Sequence, residues 1–111
     1  MLIDNEQCIN LLKEELNKKG ELQLTVHGDS MLPNLNNGDV VKVQSCNEYN
    51  IGDIIAYYTI SENNVNIIVH RVIFVREKYV LAKGDNNSFI DPIKIDLNSI
   101  LGKAEKIRGE I

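Results

Sequence analysis

The stretch Glu21-Leu22-Gln23-Leu24-Thr25-Val26-His27-Gly28-Asp29-Ser30-Met31-Leu32-Pro33 decides the fold. Leu22, Leu24 and Val26 alternate with Glu21, Gln23 and Thr25, the period of a strand with one buried face. Gly28 and Pro33 then bracket Ser30 on a turn. Glycine admits positive φ, while proline lacks an amide and restricts Leu32 before it, so no helix runs through this segment. Upstream, residues 4–19 carry a different period. Ile9, Leu12 and Leu16 form one apolar stripe, and Gly20 follows as a stop. Asp4 with Gln7 reads as a capping box, and Lys18 and Lys19 suit the negative end of the helix dipole.

After Gly20 the helical period does not return. Val40-Val41-Lys42-Val43 and residues 53–60 read as strands. Asn63-Asn64 is a hairpin tip leading into residues 65–75, and residues 79–83 and 100–107 complete the set. Turn signals recur at Asn36-Asn37-Gly38, Asn50-Ile51-Gly52-Asp53 and Gly84-Asp85-Asn86-Asn87. No internal repeat or low-complexity linker interrupts them. The expected class is mostly β (α+β): a compact antiparallel β domain with one N-terminal amphipathic helix. Residues 1–20 form that helix, packed on a single β domain of residues 21–111.

Composition narrows the function. The chain has 111 residues, enough to bury a core without staples, and is 43% apolar and 25% charged. Sixteen acids against 12 bases leave a net charge of −4, which offers no footprint for nucleic acid. No apolar run approaches the roughly 18–20 residues needed to span a bilayer. The first residues show neither a basic nor an apolar signal region, so the expected location is cytoplasmic. Cys8 and Cys46 fit no metal spacing and read as free thiols; no metal or cofactor is expected.

Chemistry enters through order. Ser30 lies on its turn, His70 follows within Val69-His70-Arg71-Val72, and Asp85 and Asp91 follow Lys83. A serine hydroxyl attacks a carbonyl only when a neighbouring base removes its proton, and the base needs a partner to orient it. His70 shares parity with Val72 and Phe74 and so faces a buried side. Asp85 and Asp91 are the two acids available to it, although Asp85, within a Gly-Asp-Asn-Asn turn, is also placed to bond its own backbone. His27 is read as a neighbour of the cleft, and Lys42 and Lys103 as solvated strand residues.

As a set, the segments Gly28-Asp29-Ser30-Met31-Leu32-Pro33, Gly38-Asp39-Val40-Val41, Gly52-Asp53-Ile54-Ile55, His70-Arg71-Val72, Lys83-Gly84-Asp85-Asn86-Asn87 and Gly102-Lys103 resemble the signal peptidase superfamily. Its members include type I signal peptidases and self-cleaving repressors of the DNA-damage response. The resemblance covers about residues 22–108. In bacterial members the base is a lysine at the position of His70, whereas the endoplasmic-reticulum and archaeal type carries His within His-Arg-Val, as here. A lysine must be desolvated to lose its proton near pH 7; histidine needs no such shift and profits from a carboxylate instead.

The resemblance therefore implies Ser30 as nucleophile, His70 as general base and Asp91 as the orienting carboxylate. Asp85, Gly28, Met31 and Arg71 are implied as support, with the amides of Ser30 and Met31 as oxyanion donors. Where many signal peptidases add a hydroxyl two residues before the nucleophile, this chain has Gly28. The implied activity is that of a soluble serine endopeptidase removing a leader or signal-like segment from a precursor. The implied partner is an extended peptide that adds to a strand edge and carries small residues before the scissile bond. Ile54-Ile55-Ala56 and Ile67-Ile68-Val69 are candidates for the groove or the core. Two alternatives stand beside this reading: a non-catalytic peptide-binding module, and a self-cleaving regulator. Peripheral membrane contact through the helix ranks last, because its polar face is mixed in charge. Oligomeric state is left open.

Overall fold

The computed structural model describes residues 5–108. Helix α1 (Asn5–Lys19) ends where Gly20, at φ 75°, donates its amide to the Leu16 carbonyl. Only a residue free of a Cβ penalty takes that left-handed cap at no cost. The Asp4 half of the expected capping box lies outside the described residues.

Seven strands follow: β1 (Leu22–Thr25), β2 (Val40–Gln44), β3 (Ile54–Ser61), β4 (Asn64–Val75), β5 (Tyr79–Lys83), β6 (Ile95–Asp96) and β7 (Ile100–Arg108). They form one antiparallel sheet in the order β1-β2-β7-β3-β4-β5-β6. The β3–β4 hairpin turns on Glu62 and Asn63, both at positive φ, because Ser61 still pairs with Asn64. A two-residue turn of this hand matches the twist of the strands it joins. The tip therefore sits one residue earlier than the sequence suggests. The short β6 was not anticipated; two residues are too few to carry a period.

The sheet buries apolar side chains on both faces. Ala56 joins one cluster with Leu16, Met31, Val41, Val43 and Leu101, while Ile55 and Tyr57 join the other with Val72, Val80 and Ile95. This double burial explains why β3 reads as a continuous apolar run rather than an alternation. Leu16, 4% exposed, is the residue by which α1 enters the first cluster. Burying such a side chain is worth about 1.5–3 kcal/mol.

Register shifts at Val40/Val41, Ala56/Tyr57 and Val72/Phe74 interrupt the ladders. Bulges of this kind bend strands and increase twist, which lets one sheet wrap its own core. Gly102 on β7 lies close against the end of β2. A Cβ placed there would run into the Gln44 carbonyl, a backbone atom with nowhere cheap to go. Gly102→Ala is accordingly expected to destabilise the protein by about 1–3 kcal/mol, read as a lower urea midpoint with an unchanged m-value.

Candidate active site

The Ser30 turn is held from below and from both ends. Met31 and Leu35 are 1% and 2% exposed, and the Leu35 amide donates to the Met31 carbonyl at 2.9 Å. Gly28 takes φ +86° while its amide donates to Asn37 Oδ1, so the turn starts in a conformation that a side chain would strain. The Leu32–Pro33 peptide is cis. Burying Met31 turns the neighbouring Ser30 hydroxyl away from the core and towards β4.

There it meets His70. The imidazole Nε2 lies 3.0 Å from Ser30 Oγ, and Nδ1 lies 2.7 Å from Asp91 Oδ2. The His70 and Asp91 side chains are 11% and 10% exposed. A carboxylate can only accept, so the network assigns the proton of a neutral ring to Nδ1 and leaves the Nε2 lone pair for the serine O–H. Asp91 comes from the loop before β6, and its amide donates to the Ala82 carbonyl on β5 at 2.8 Å. Three segments far apart in sequence thus bring Ser30, His70 and Asp91 into one line.

Asp85 is not in that line, and it does not bond its own backbone. Its carboxylate receives Arg71 Nε on Oδ1 and Arg71 Nη2 on Oδ2, each at 2.8 Å, together with Asn34 Nδ2 at 2.7 Å. Arg71 also donates to the Gly52 carbonyl. Residue parity explains the difference: His70 and Arg71 are adjacent on β4 and point to opposite faces, so each acid meets a different neighbour. The turn carrying Asp85 is moulded onto the Ser30 turn. The Asn86 amide donates to the Ser30 carbonyl at 2.8 Å, Asn86 Nδ2 to the Asp29 carbonyl, and the Asp85 amide to Met31 Sδ. A Cβ on Gly84 would sit 2.7 Å from the Ser30 carbonyl oxygen. Asp85, Arg71, Gly28 and Met31 therefore touch the site through its scaffold. Among the described residues, the Ser30 and Met31 amides donate to no protein acceptor.

One contact was missed in the sequence. Tyr57 Oη donates to Asp91 Oδ2 at 2.6 Å, the same oxygen that faces His70. The available signal was parity: Tyr57 falls on the buried face with Ile55, and a buried tyrosine hydroxyl needs a partner. Nothing in the sequence names that partner.

A groove of about 710 Å³ leads away from Ser30 and His70 between β1 and the first half of β4. Its walls include Leu24, Val26, Ile67, Ile68 and Val69, and His27 stands near its inner end. Of the apolar runs considered above, 67–69 faces the groove, whereas Ile55 and Ala56 are fully buried. Both borders are unpaired strand edges among the described residues. β1 pairs only with β2, and β4 pairs with β5 only from Arg71 onward. Lys103 is partly exposed and pairs with Asp53 at 3.3 Å. Among the described residues, no group of three or more His, Cys, Asp or Glu side chains is disposed to hold a metal ion.

A curled antiparallel sheet with a serine, histidine and aspartate aligned at the end of a groove defines a peptidase-like β domain. The family model described as Peptidase S24-like matches residues 2–105, and the chain belongs to that family. The family includes serine peptidases and self-cleaving repressors. No curated protein and no solved structure matches the chain significantly.

The hydrogen bonds of the Arg71 guanidinium hold the Asp85 carboxyl below its ordinary value of 3.8; burial opposes them, and a weaker contribution from Asn34 supports them. A carboxyl that ionises more readily folded than unfolded stabilises the fold above the ordinary carboxylate range. That contribution is lost as pH falls through the depressed folded value. Asp85→Asn is expected to cost about 1–2 kcal/mol at pH 7, allowing for the solvent that reaches Arg71. Thermal melts of both chains from pH 7 downward should show the difference shrinking below about pH 4.

Proposed function

We propose that this chain is a serine endopeptidase of the Ser-His-Asp kind, acting on an extended leader-like segment of a precursor peptide or protein. The observation that carries the reading is the unbroken line Ser30 Oγ, His70 Nε2, His70 Nδ1, Asp91 Oδ2, with neighbouring groups 3.0 and 2.7 Å apart. The His base aligns it with the endoplasmic-reticulum and archaeal type.

The chemistry follows from the geometry. Ser30 Oγ attacks the scissile carbonyl carbon as its proton passes to His70 Nε2. The carbonyl oxygen becomes an oxyanion, for which the free Ser30 and Met31 amides are the nearest backbone donors on the turn. Asp91 stabilises the imidazolium that has formed. The imidazolium then protonates the leaving amine, the C–N bond breaks, and an acyl-enzyme remains. A water, deprotonated by His70, releases the acid and restores the serine.

The groove suits the implied substrate. β1 and β4 both run towards the site and each offers an unpaired edge, so an extended chain laid between them bonds to backbone on either side. Main-chain pairing supplies affinity without sequence demand. Small side chains next to the scissile bond, as the resemblance implies, would lie at the His70 end of the groove.

The test is cleavage of a proteome-derived peptide library, with the new termini sequenced. Ser30→Ala and His70→Ala are expected to abolish cleavage with circular dichroism unchanged, and Asp91→Asn to lower kcat by about 10³–10⁴-fold. Cleavage retained by either of the first two variants would sink the assignment. Loss of mass by the chain alone, stopped by Ser30→Ala, identifies a self-cleaving regulator instead. Peptides bound but never cut identify a binding module.

A further inference from the structure

Tyr57 is 1% exposed, yet it carries a polar group into the core. On β3 it stands two residues from Ile55, the cross-strand partner of His70, so phenol and imidazole are diagonal neighbours on one sheet face. Both converge on Asp91 Oδ2, at 2.6 Å from the phenol oxygen and 2.7 Å from His70 Nδ1. Resting on the peptidase reading above, we propose that Tyr57 is a positioning residue. Its hydroxyl holds the Asp91 carboxylate in the orientation that faces His70, and by sharing Oδ2 it moderates that carboxylate's pull on the imidazolium.

A purely structural tyrosine would be served by any acceptor at that depth. This one bonds the single oxygen that also meets the base. The bond carries information in both directions. It restrains a carboxylate that hangs from a loop, and it places a second donor where negative charge would otherwise be concentrated on the ring. Burial, followed by the hydrogen bond to Asp91 and its charge, pushes the phenol well above its ordinary value of 10.0, so Tyr57 remains a donor at every working pH. The remaining charged groups around the imidazole are held elsewhere. His27 lies across the groove, the Arg71–Asp85 pair is engaged within itself, Lys83 Nζ donates to the Gly84 carbonyl, and Lys103 pairs with Asp53. Among the described residues, Asp91's side chain bonds only Tyr57 and His70.

Tyr57→Phe keeps the ring in its core position and removes only the donor. Two measurements separate the possibilities. The first follows the His70 ring by NMR through a pH titration, with His27→Gln assigning the signals; it needs no substrate. Losing the competing donor should favour the imidazolium and move the His70 midpoint up by about half to one pH unit. The second measures kcat and KM on the best-cut library peptide, where kcat should fall about tenfold with KM unchanged. The same substitution made in an Asp91→Ala chain should leave the His70 midpoint unchanged, because the shared carboxylate is gone. An unmoved His70 midpoint, an unchanged kcat, or an undiminished midpoint shift in the Asp91→Ala chain each overturns the proposal. If the midpoint moves but no peptide is cut by the unsubstituted chain, the peptidase reading and with it the positioning role fail, while the shared-oxygen coupling stands. Should Tyr57→Phe not fold, the Asp91→Ala chain alone still decides: without its acceptor the Tyr57 hydroxyl proton should exchange with solvent faster by NMR, and an unchanged exchange rate overturns the coupling.

Discussion

The register of β3 against β4, with Ile55 opposite His70, is the constraint on which the site depends. Side chains alternate along a strand, so a slip of one residue would send the imidazole to the opposite face and bring Val69 or Arg71 in its place. Two features hold the register. The two-residue turn at Glu62 and Asn63 sets the pairing from one end. The double-sided burial of β3 sets it along its length, since Ile55 and Tyr57 fit one cluster and Ala56 the other. The irregularity between Val72 and Phe74 follows directly after His70 and bends β4 towards β5. The Asp91 loop is hung from that neighbouring strand, through its amide on the Ala82 carbonyl.

With His70 fixed on rigid sheet, the two irregular segments must be brought to it. Loops spend conformational entropy when they are ordered, about 1–2 kcal/mol per residue, so each needs its own anchors. The Ser30 turn is anchored by burying Met31 and Leu35, and then by the 84–87 turn packed behind it. Arg71 joins Asp85, and thereby Asn34, to the Gly52 carbonyl beside the start of β3. A bidentate guanidinium–carboxylate pair fixes orientation as well as distance. The resulting frame is polar but fully partnered: among the described residues no buried side-chain nitrogen or oxygen lacks a hydrogen bond. Its effect on Ser30 is indirect and geometric, which is why Asp85 and Arg71 belong to the scaffold.

The helix, six of the seven strands and the placement of Ser30 on a turn were legible because each is written in a local period or a local breaker. Leu22, Leu24 and Val26 announce a strand within five residues, and Gly28 with Pro33 announces a turn within six. The pairing of His70 with Ser30 was legible only through resemblance, since no local rule brings residues 40 apart in sequence to 3.0 Å. Which acid serves His70 depended on the face that Arg71 occupies, and parity along β4 supplies that answer once the adjacent loops are in place. Tyr57 stayed hidden for a different reason. A buried tyrosine in an apolar run looks like core, and it is core; only its last atom has a polar destination. The curl of the sheet was equally unreadable, because bulges arise from the mutual fit of neighbouring strands.

In the proposed role of base, a histidine shifts the electrostatic problem from the base to its partner. A lysine in the same position must be desolvated until it sheds its charge. Histidine needs no such treatment, but the carboxylate that supports it must remain charged in a place with little water. Transferring such a group inward is costly unless donors replace its hydration. Asp91 is given two side-chain donors on one oxygen while keeping a tenth of its side chain exposed, in a separate hollow shared with Tyr57 and Pro92. If a peptide lies in the groove, it covers the exposed part of the His70 ring, and the bond between ring and carboxylate strengthens, because charges interact more strongly at lower effective dielectric. Under the proposed mechanism, substrate binding would then stiffen the arrangement that performs the chemistry and couple the groove to the imidazole and its carboxylate.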